Sequence, residues 1–146
     1  MRGPAAGTDR RGQSLVEFAL VLPLFILLVA GLFDIGRAVY ASSTISNAAR
    51  TGARIAIVNQ NVDTIRAAAA QEAVALGIPP SDIEVYFRNP NDPALPGNDC
   101  PEIVIGCVAV VQVRYQYLAA LPIVSQLVGP ITLSSTSALR IEDVEP

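Results

Sequence analysis

The pattern of apolar and polar positions begins with a long apolar run near the N-terminus. Leu15 to Phe33 is nineteen residues long and contains one charged side chain, Glu17. A helix of that length spans about 28 Å, close to the roughly 30 Å hydrocarbon core of a bilayer. The run therefore predicts a helix that crosses a membrane once.

The pattern that follows the apolar run is also helical. Small apolar residues recur at steps of three and four, at Ala38, Ala41, Ile45, Ala48, Ala49, Gly52, Ala53 and Ala56. A stripe with this period forms one face of a helix. Because no proline occurs between Pro23 and Pro79, we expect one helix from about Ser14 to Val58, roughly 66 Å long. Its small-residue face packs either on the protein's own downstream domain or between neighbouring subunits.

Beyond this helix the pattern predicts a second helix and a small sheet. Asp63 is the expected N-cap of a helix over Ile65–Leu76, and Gly77 with the two prolines after it ends that helix. The period then changes to two in the segments 83–88, 109–117 and 131–141, which predicts three strands. Strands that follow helices favour an α+β fold, with an antiparallel sheet of about three strands laid on the long helix.

Composition narrows the possible functions. The 146 residues include no histidine and two cysteines, and the net charge is −3. A histidine-based triad, a histidine metal site and a four-cysteine zinc site are therefore excluded within one chain. The negative charge and the lack of basic clusters argue against nucleic-acid binding. The scattered carboxylates form no paired motif, so we expect neither an enzyme nor a cofactor or metal.

The charges that flank the apolar run predict its orientation. Arg2, Arg10 and Arg11 precede the run and are opposed by Asp9 alone. The positive-inside rule then places the N-terminus in the cytoplasm and the rest of the chain outside. A cleaved secretory signal is the alternative, but its apolar core is only about 7–15 residues long. The nearest tolerable cleavage site for such a signal, after Ala41, also lies beyond two charged residues.

The one charge inside the apolar run stands at a specific spacing from a glycine. Glu17 is five residues after Gly12 and is followed by Phe18. A carboxylate at this depth is unfavourable unless it reaches the headgroups or meets a cationic partner. The string GQSLVEF resembles the processing site of type IV prepilins of the Flp/Tad type. The resemblance implies that a prepilin peptidase cuts between Gly12 and Gln13, which makes Glu17 the fifth residue of the mature chain.

A longer stretch, Arg11 to Ala56, resembles the TadE-like proteins, which are minor pilins or pseudopilins of the tight-adherence secretion system. The matching residues are Gly12, Glu17, Phe18, Pro23, Asp34, Gly36, Arg37 and the block Ala48-Ala49-Arg50…Gly52-Ala53-Arg54. The resemblance implies a leader over 1–12, a transmembrane helix over 13–35 and an extracytoplasmic pilin-like domain over 36–146. It also implies that Glu17, with Phe18 beside it, pairs with the new amine of Gln13, either within one chain or between neighbouring subunits.

The function that the resemblance implies is structural. The protein would serve Tad/Flp-type IV pilus assembly, as a single-pass protein of the inner membrane or as part of the extracellular pilus. Its implied partners are the prepilin peptidase, other pilins or pseudopilins, the assembly platform and membrane lipid, with no nucleic acid. The alternative is a membrane-anchored binding or adhesion module that stays outside the filament.

A long loop is expected between the first two strands, from Asn89 to Gly106. Cys100 and Cys107 lie near its end, and outside the cytoplasm such a pair is expected to form a disulfide. Free thiols and bonds to another chain are the alternatives. The loop also carries the oxygen-bearing residues Asn89, Asn91, Asp92, Asn98 and Asp99. Because the EF-hand order is missing, solvated turns are favoured over a calcium site.

A second apolar segment, Leu118–Pro130, carries no charge. It is too short to span a bilayer and is interrupted by Pro122. It is expected either to cap the core over the sheet or to form an exposed surface for a partner subunit or the membrane.

Overall fold

The computed structural model describes residues 10–89, 100, 103, 105–121, 125–126 and 129–142. The elements in these ranges are α1 (Arg10–Ala56), α2 (Val62–Glu72), β1 (Ile83–Arg88), β2 (Val108–Tyr117) and β3 (Ile131–Arg140). Two short 3-10 turns, Val74–Leu76 and Pro80–Asp82, connect α2 to β1. The predicted α+β fold, with a long first helix, a second helix and three antiparallel strands, is confirmed.

α1 is one unbroken helix of 47 residues, about 70 Å long. It already includes Arg10, the first residue that the structure describes, and so extends beyond the predicted start at Ser14. It ends at Ala56 rather than Val58, where the amides of Val58 and Asn59 both donate to the Ile55 carbonyl, at 3.1 and 2.9 Å. Pro23 lies inside the helix without ending it.

The second half of α1 supplies much of the core of the domain. Its small-residue face is buried, including Ala41, Ile45, Ala48, Ala49, Ala53 and Ala56. This face packs against buried residues of α2 and of the sheet, among them Ala69, Ile83 and Val111. Of the two expected arrangements, packing on the protein's own domain is the one that the structure shows.

α1, α2 and β2 come close together at Gly52. A Cβ atom added to Gly52 would lie 3.0 Å from Val111 Cγ1 and 3.2 Å from Ala69 Cβ. Both distances are shorter than ordinary van der Waals contact between carbons, which lies at about 3.5–4.0 Å. The glycine therefore allows the helix backbone to approach both neighbours.

The N-cap of α2 differs from the prediction. Asn61 caps the helix, and its side-chain oxygen accepts hydrogen bonds from the amides of Asp63 and Thr64, each at 3.0 Å. The prediction of Asp63 as the N-cap was wrong, because Asp63 lies inside the first turn, where its negative charge is still favourable. The helix ends at Glu72, and the 3-10 turn Val74–Leu76 follows before Gly77 takes up a left-handed conformation, with φ +66°.

The sheet has the order β1-β2-β3, with both pairings antiparallel. Val111, at the centre of β2, lies opposite Val85 of β1 and Ser137 of β3. Ala109, Val111 and Val113 alternate along β2 and are all buried, as the period of two predicted. β3 also touches α1, since the hydroxyl oxygens of Ser135 and Ser46 are 3.2 Å apart.

A disulfide closes the end of the sheet that holds the start of β2. The sulfurs of Cys100 and Cys107 are 2.03 Å apart, which is disulfide distance. Both residues are buried in the core cluster. Cys100 donates its amide to the carbonyl of Phe87 on β1, at 3.2 Å, and Ile141 donates its amide to the carbonyl of Cys107, at 2.7 Å. The disulfide therefore ties together the end of β1, the start of β2 and the residue that follows β3.

Candidate functional sites on the long helix

The predicted processing and pairing residues lie at the start of α1. Gly12, Gln13, Glu17 and Phe18 are all exposed there. The side-chain amide nitrogen of Gln13 donates a hydrogen bond to Glu17 Oε1 at 3.2 Å. Residues four apart on a helix are neighbours on one face, so residue 13 lies beside Glu17 in the structure. The pairing of Glu17 with a new amine stays a prediction.

The apolar part of α1 is not covered by any other part of the chain that the structure describes. Large apolar side chains are exposed along its length: Leu15, Val16, Phe18, Leu20, Val21, Leu22, Leu24, Phe25, Ile26, Leu27, Leu28, Leu32 and Phe33. A continuous apolar surface of this extent is far larger than soluble monomers show. Within the described residues, α1 is the one helix that is long and apolar enough to cross a membrane. It fits a single-pass anchor.

A polar junction lies where this apolar surface ends. Asp34 is the first charged residue after the run, and its side chain is only 12% exposed. Its carboxylate accepts hydrogen bonds from the amide of Ala120, at 3.0 Å to each oxygen, and from the amide of Leu121, at 3.3 Å. These contacts fasten the start of the β2–β3 connection to the side of α1.

The Tyr117 hydroxyl completes the junction. It lies 2.8 Å from the carbonyl oxygen of Asp34 and 3.1 Å from Asp34 Oδ1. Arg37 contributes its guanidinium, 3.4 Å from Asp34 Oδ1 and 5.7 Å from the centre of the Tyr117 ring. Burial, and then the hydrogen bond to the Asp34 carboxylate, raise the pKa of Tyr117 above its usual value. The hydroxyl is therefore a donor throughout the physiological pH range.

The predicted residues do not form one site. Glu17 and Asp34 are about 25 Å apart along the axis of α1, and the disulfide lies near Phe87 and Ile141, at the end of the sheet opposite Tyr117. The chain therefore has an N-terminal motif, a junction beside the apolar surface and a cross-linked distal end.

The comparison with known families matches one part of the chain. Residues 12–54 match the family model of TadE-like proteins. This segment is similar to TadE-like proteins. No curated protein and no solved structure matches the chain. The TadE-like segment starts at Gly12, lies wholly within α1 and includes Asp34, Arg37 and Gly52. The match covers less than a third of the chain.

Sequence reasoning found Asp34 and Arg37 in the TadE-like segment but gave them no role, and it missed Tyr117, Ala120 and Leu121. A carboxylate at the end of an apolar run is a signal that a polar partner exists. Its partner Tyr117 is 83 positions away, and nothing in the local pattern identifies it.

Most residues of the loop considered for calcium binding lie outside the described residues. Of the five oxygen-bearing residues in the long loop, Asn89 is described, and Asn91, Asp92, Asn98 and Asp99 lie outside. In the part of the chain that the structure describes, no group of three or more acidic, cysteine or histidine side chains is placed to hold a metal ion.

Proposed function

We propose that this protein is a membrane-inserted minor pilin or pseudopilin of a Tad/Flp-type IV pilus, processed after Gly12. The observation that carries the proposal is the coincidence of two features on α1. The TadE-like match begins at Gly12, and the helix that contains Gly12 exposes an apolar surface long enough to cross a bilayer. The role is one of assembly, without catalysis and without nucleic acid.

Processing removes the leader at the first turn of α1. The Gly12–Gln13 bond lies two residues inside the helix, where Gly12 and Gln13 are exposed. Glycine is among the least favourable residues inside a helix, so α1 opens readily at Gly12. A membrane peptidase can thus engage this bond without disturbing the folded domain. The cut leaves a free amine on Gln13, cationic at neutral pH, one helical turn from Glu17.

The membrane setting follows from the charges beside the apolar surface. The arginines before the run keep the N-terminus in the cytoplasm, and the domain then faces outward. In this orientation the leader faces a cytoplasmic peptidase site, and the pairing of Glu17 takes place within the membrane. The partners are the prepilin peptidase, other pilins or pseudopilins, the assembly platform and lipid.

Expression with and without the prepilin peptidase, followed by intact-mass measurement, tests the proposal. The peptidase should remove the mass of Met1–Gly12. A Gly12→Leu variant should keep its leader, whereas the matched Gly36→Ala variant, where an added Cβ meets nothing within 4 Å, should be cleaved normally. A full-length mass in the presence of an active peptidase would refute processing.

The same strains test the pairing role. Glu17→Ala should be cleaved but should no longer co-purify with the other pilins, whereas Gln13→Ala should keep both properties because the backbone amine remains. Normal assembly of Glu17→Ala would refute the pairing of Glu17.

A second function is favoured by a surface feature of the domain. A cavity of about 530 Å³ opens between the turn at Gly77 and the outer side of the sheet, next to Glu84 and Arg114. These two side chains form a two-fold ion pair, with both nitrogen–oxygen distances 2.9 Å. An open cavity of mixed polar and apolar lining on an anchored domain suits a binding or adhesion module outside the filament. N-terminal sequencing of the mature protein separates the two functions, since an uncleaved start favours the binding module.

A further inference from the structure

The junction at Asp34 fixes the height of the β2–β3 connection relative to the apolar surface of α1. Asp34 is the first charged residue after that surface, and it accepts the amides of Ala120 and Leu121 directly. Leu118 lies between the buried Tyr117 and these two amides, and its own side chain is 58% exposed. The connection therefore starts at the level at which the apolar run ends.

The chemistry of this connection suits a non-aqueous surrounding. Residues 118–130 carry no charged side chain. On α1, one turn or less before Asp34, Leu32 and Phe33 are also largely exposed. The exposed side chain of Leu118 and the exposed apolar surface of α1 thus both lie close to Asp34, on two separate elements. One of them continues directly into the helix proposed to lie in lipid.

The hydrogen bonding of the connection reduces the usual obstacle to such a placement. Irregular backbone is excluded from lipid because its unpaired amides are costly there. Here the Asp34 carboxylate accepts the amides of Ala120 and Leu121, and the Tyr117 hydroxyl is bonded to Asp34 as well. The segment can therefore approach the hydrocarbon boundary with these polar groups satisfied.

We propose that Leu118–Leu121 is a second membrane contact, which rests in the lipid interface while α1 crosses the bilayer. This rests on the proposed membrane insertion of α1. We take lipid as the partner because of the position of the segment. It is bonded to Asp34, the first charged residue after the apolar run, and therefore lies next to the membrane surface once α1 is inserted. The contact fixes the tilt of the outward domain relative to the membrane.

Single cysteines carrying an environment-sensitive fluorophore test this contact in the full chain. Cys100 and Cys107 are bonded to each other, so a new thiol is labelled alone under non-reducing conditions. The test position is Leu118→Cys. Val58→Cys, two residues beyond the end of α1 and 55% exposed against 58% for Leu118, is the matched control, and Leu32→Cys marks the anchor. Each labelled protein is reconstituted in phosphatidylcholine–phosphatidylglycerol vesicles and quenched with nitroxide-labelled lipid or with aqueous iodide.

The label at Leu118 should be quenched by nitroxide lipid nearly as strongly as the label at Leu32. Its quenching by iodide should be several-fold weaker than that of the label at Val58. If Leu118 behaves like Val58 while Leu32 is quenched from the lipid, the interfacial contact is overturned and the anchor stands. If Leu118 is shielded from both quenchers, a protein contact covers it and the proposal is equally overturned. If Leu32 itself behaves like Val58, the membrane insertion of α1 fails as well.

Discussion

Gly52→Ala is the substitution that best tests how α1 packs on the sheet. In an open helix, alanine is more favourable than glycine by about 0.5–1 kcal/mol. At Gly52 the new methyl group would lie 3.0 Å from Val111 Cγ1 and 3.2 Å from Ala69 Cβ. Neither neighbour can move away easily, because both are fully buried, valine is restricted at χ1 and alanine has no rotamer to change.

The magnitude follows from the two opposing effects. Overpacking of a filled core costs about 1–3 kcal/mol, which exceeds the gain in helix propensity. We therefore expect Gly52→Ala to lower the free energy of unfolding of the domain by about 1 kcal/mol. Gly36→Ala is the matched control, since it makes the same chemical change in the same helix where an added Cβ meets nothing within 4 Å. It should leave the stability unchanged or raise it.

The assay is guanidinium denaturation of the full chain in detergent micelles, followed by the near-ultraviolet circular dichroism of the tyrosines. Val111→Ala, alone and combined with Gly52→Ala, completes a double-mutant cycle. The double variant should lose less free energy of unfolding than the sum of the two single losses, because the smaller residue 111 leaves room for the methyl group. If Gly52→Ala is as stable as Gly36→Ala, the argument that the glycine is required for close packing is refuted.

Three further substitutions test the other contacts. Replacing Cys100 and Cys107 together by alanine opens an eight-residue loop and should lower the free energy of unfolding by about 2.5 kcal/mol. Equal denaturation midpoints with and without the disulfide would contradict this. Tyr117→Phe should destabilise the domain by about 1 kcal/mol, against no change for Tyr86→Phe. The pKa of Tyr117 is raised in the folded state. The contribution of its hydroxyl to the free energy of unfolding is therefore complete below the unfolded pKa near 10 and is lost as the pH rises through the folded pKa. Denaturation midpoints of the wild type should accordingly fall at alkaline pH more steeply than those of Tyr117→Phe. Asp34→Ala should speed hydrogen exchange at the amides of Ala120 and Leu121. The control Asp63→Ala, at a side chain that is 94% exposed, should not change it. Unchanged exchange in Asp34→Ala would mean that the Asp34 carboxylate does not hold the connection.

Much of the fold could be predicted from the sequence because its elements carry strong local periods. The step of three and four in the alanine-rich stretch identified the face of α1 that is buried, and the period of two located all three strands. The cap of α2 was misplaced because Asn61 and Asp63 are both good N-cap residues. Which of them acts depends on where the chain turns after α1, and that turn is set by the hydrogen bonds to the Ile55 carbonyl.

The junction and the contact at Gly52 could not be predicted in the same way. Both join residues that are far apart in the chain, Asp34 with Tyr117 and Gly52 with Val111. A carboxylate after an apolar run and a glycine in an alanine-rich helix each indicate that something lies close by. The identity of the neighbour depends on the register of β2 against α1, which periodicity does not specify.

The continuity of α1 has a mechanical consequence for assembly. One helix is apolar and exposed along its first half and is part of the domain core along its second half. The bonds at Asp34 hold the domain against the helix where the two halves meet. A pull on the domain is therefore transmitted to the anchor without an intervening flexible linker. The TadE-like match extends from Gly12 to Arg54 and so spans both halves. That extent is expected if the matched segment has to form one continuous helix. Its first half would provide the apolar surface for the membrane, and its second half would provide the small-residue face that packs in the domain.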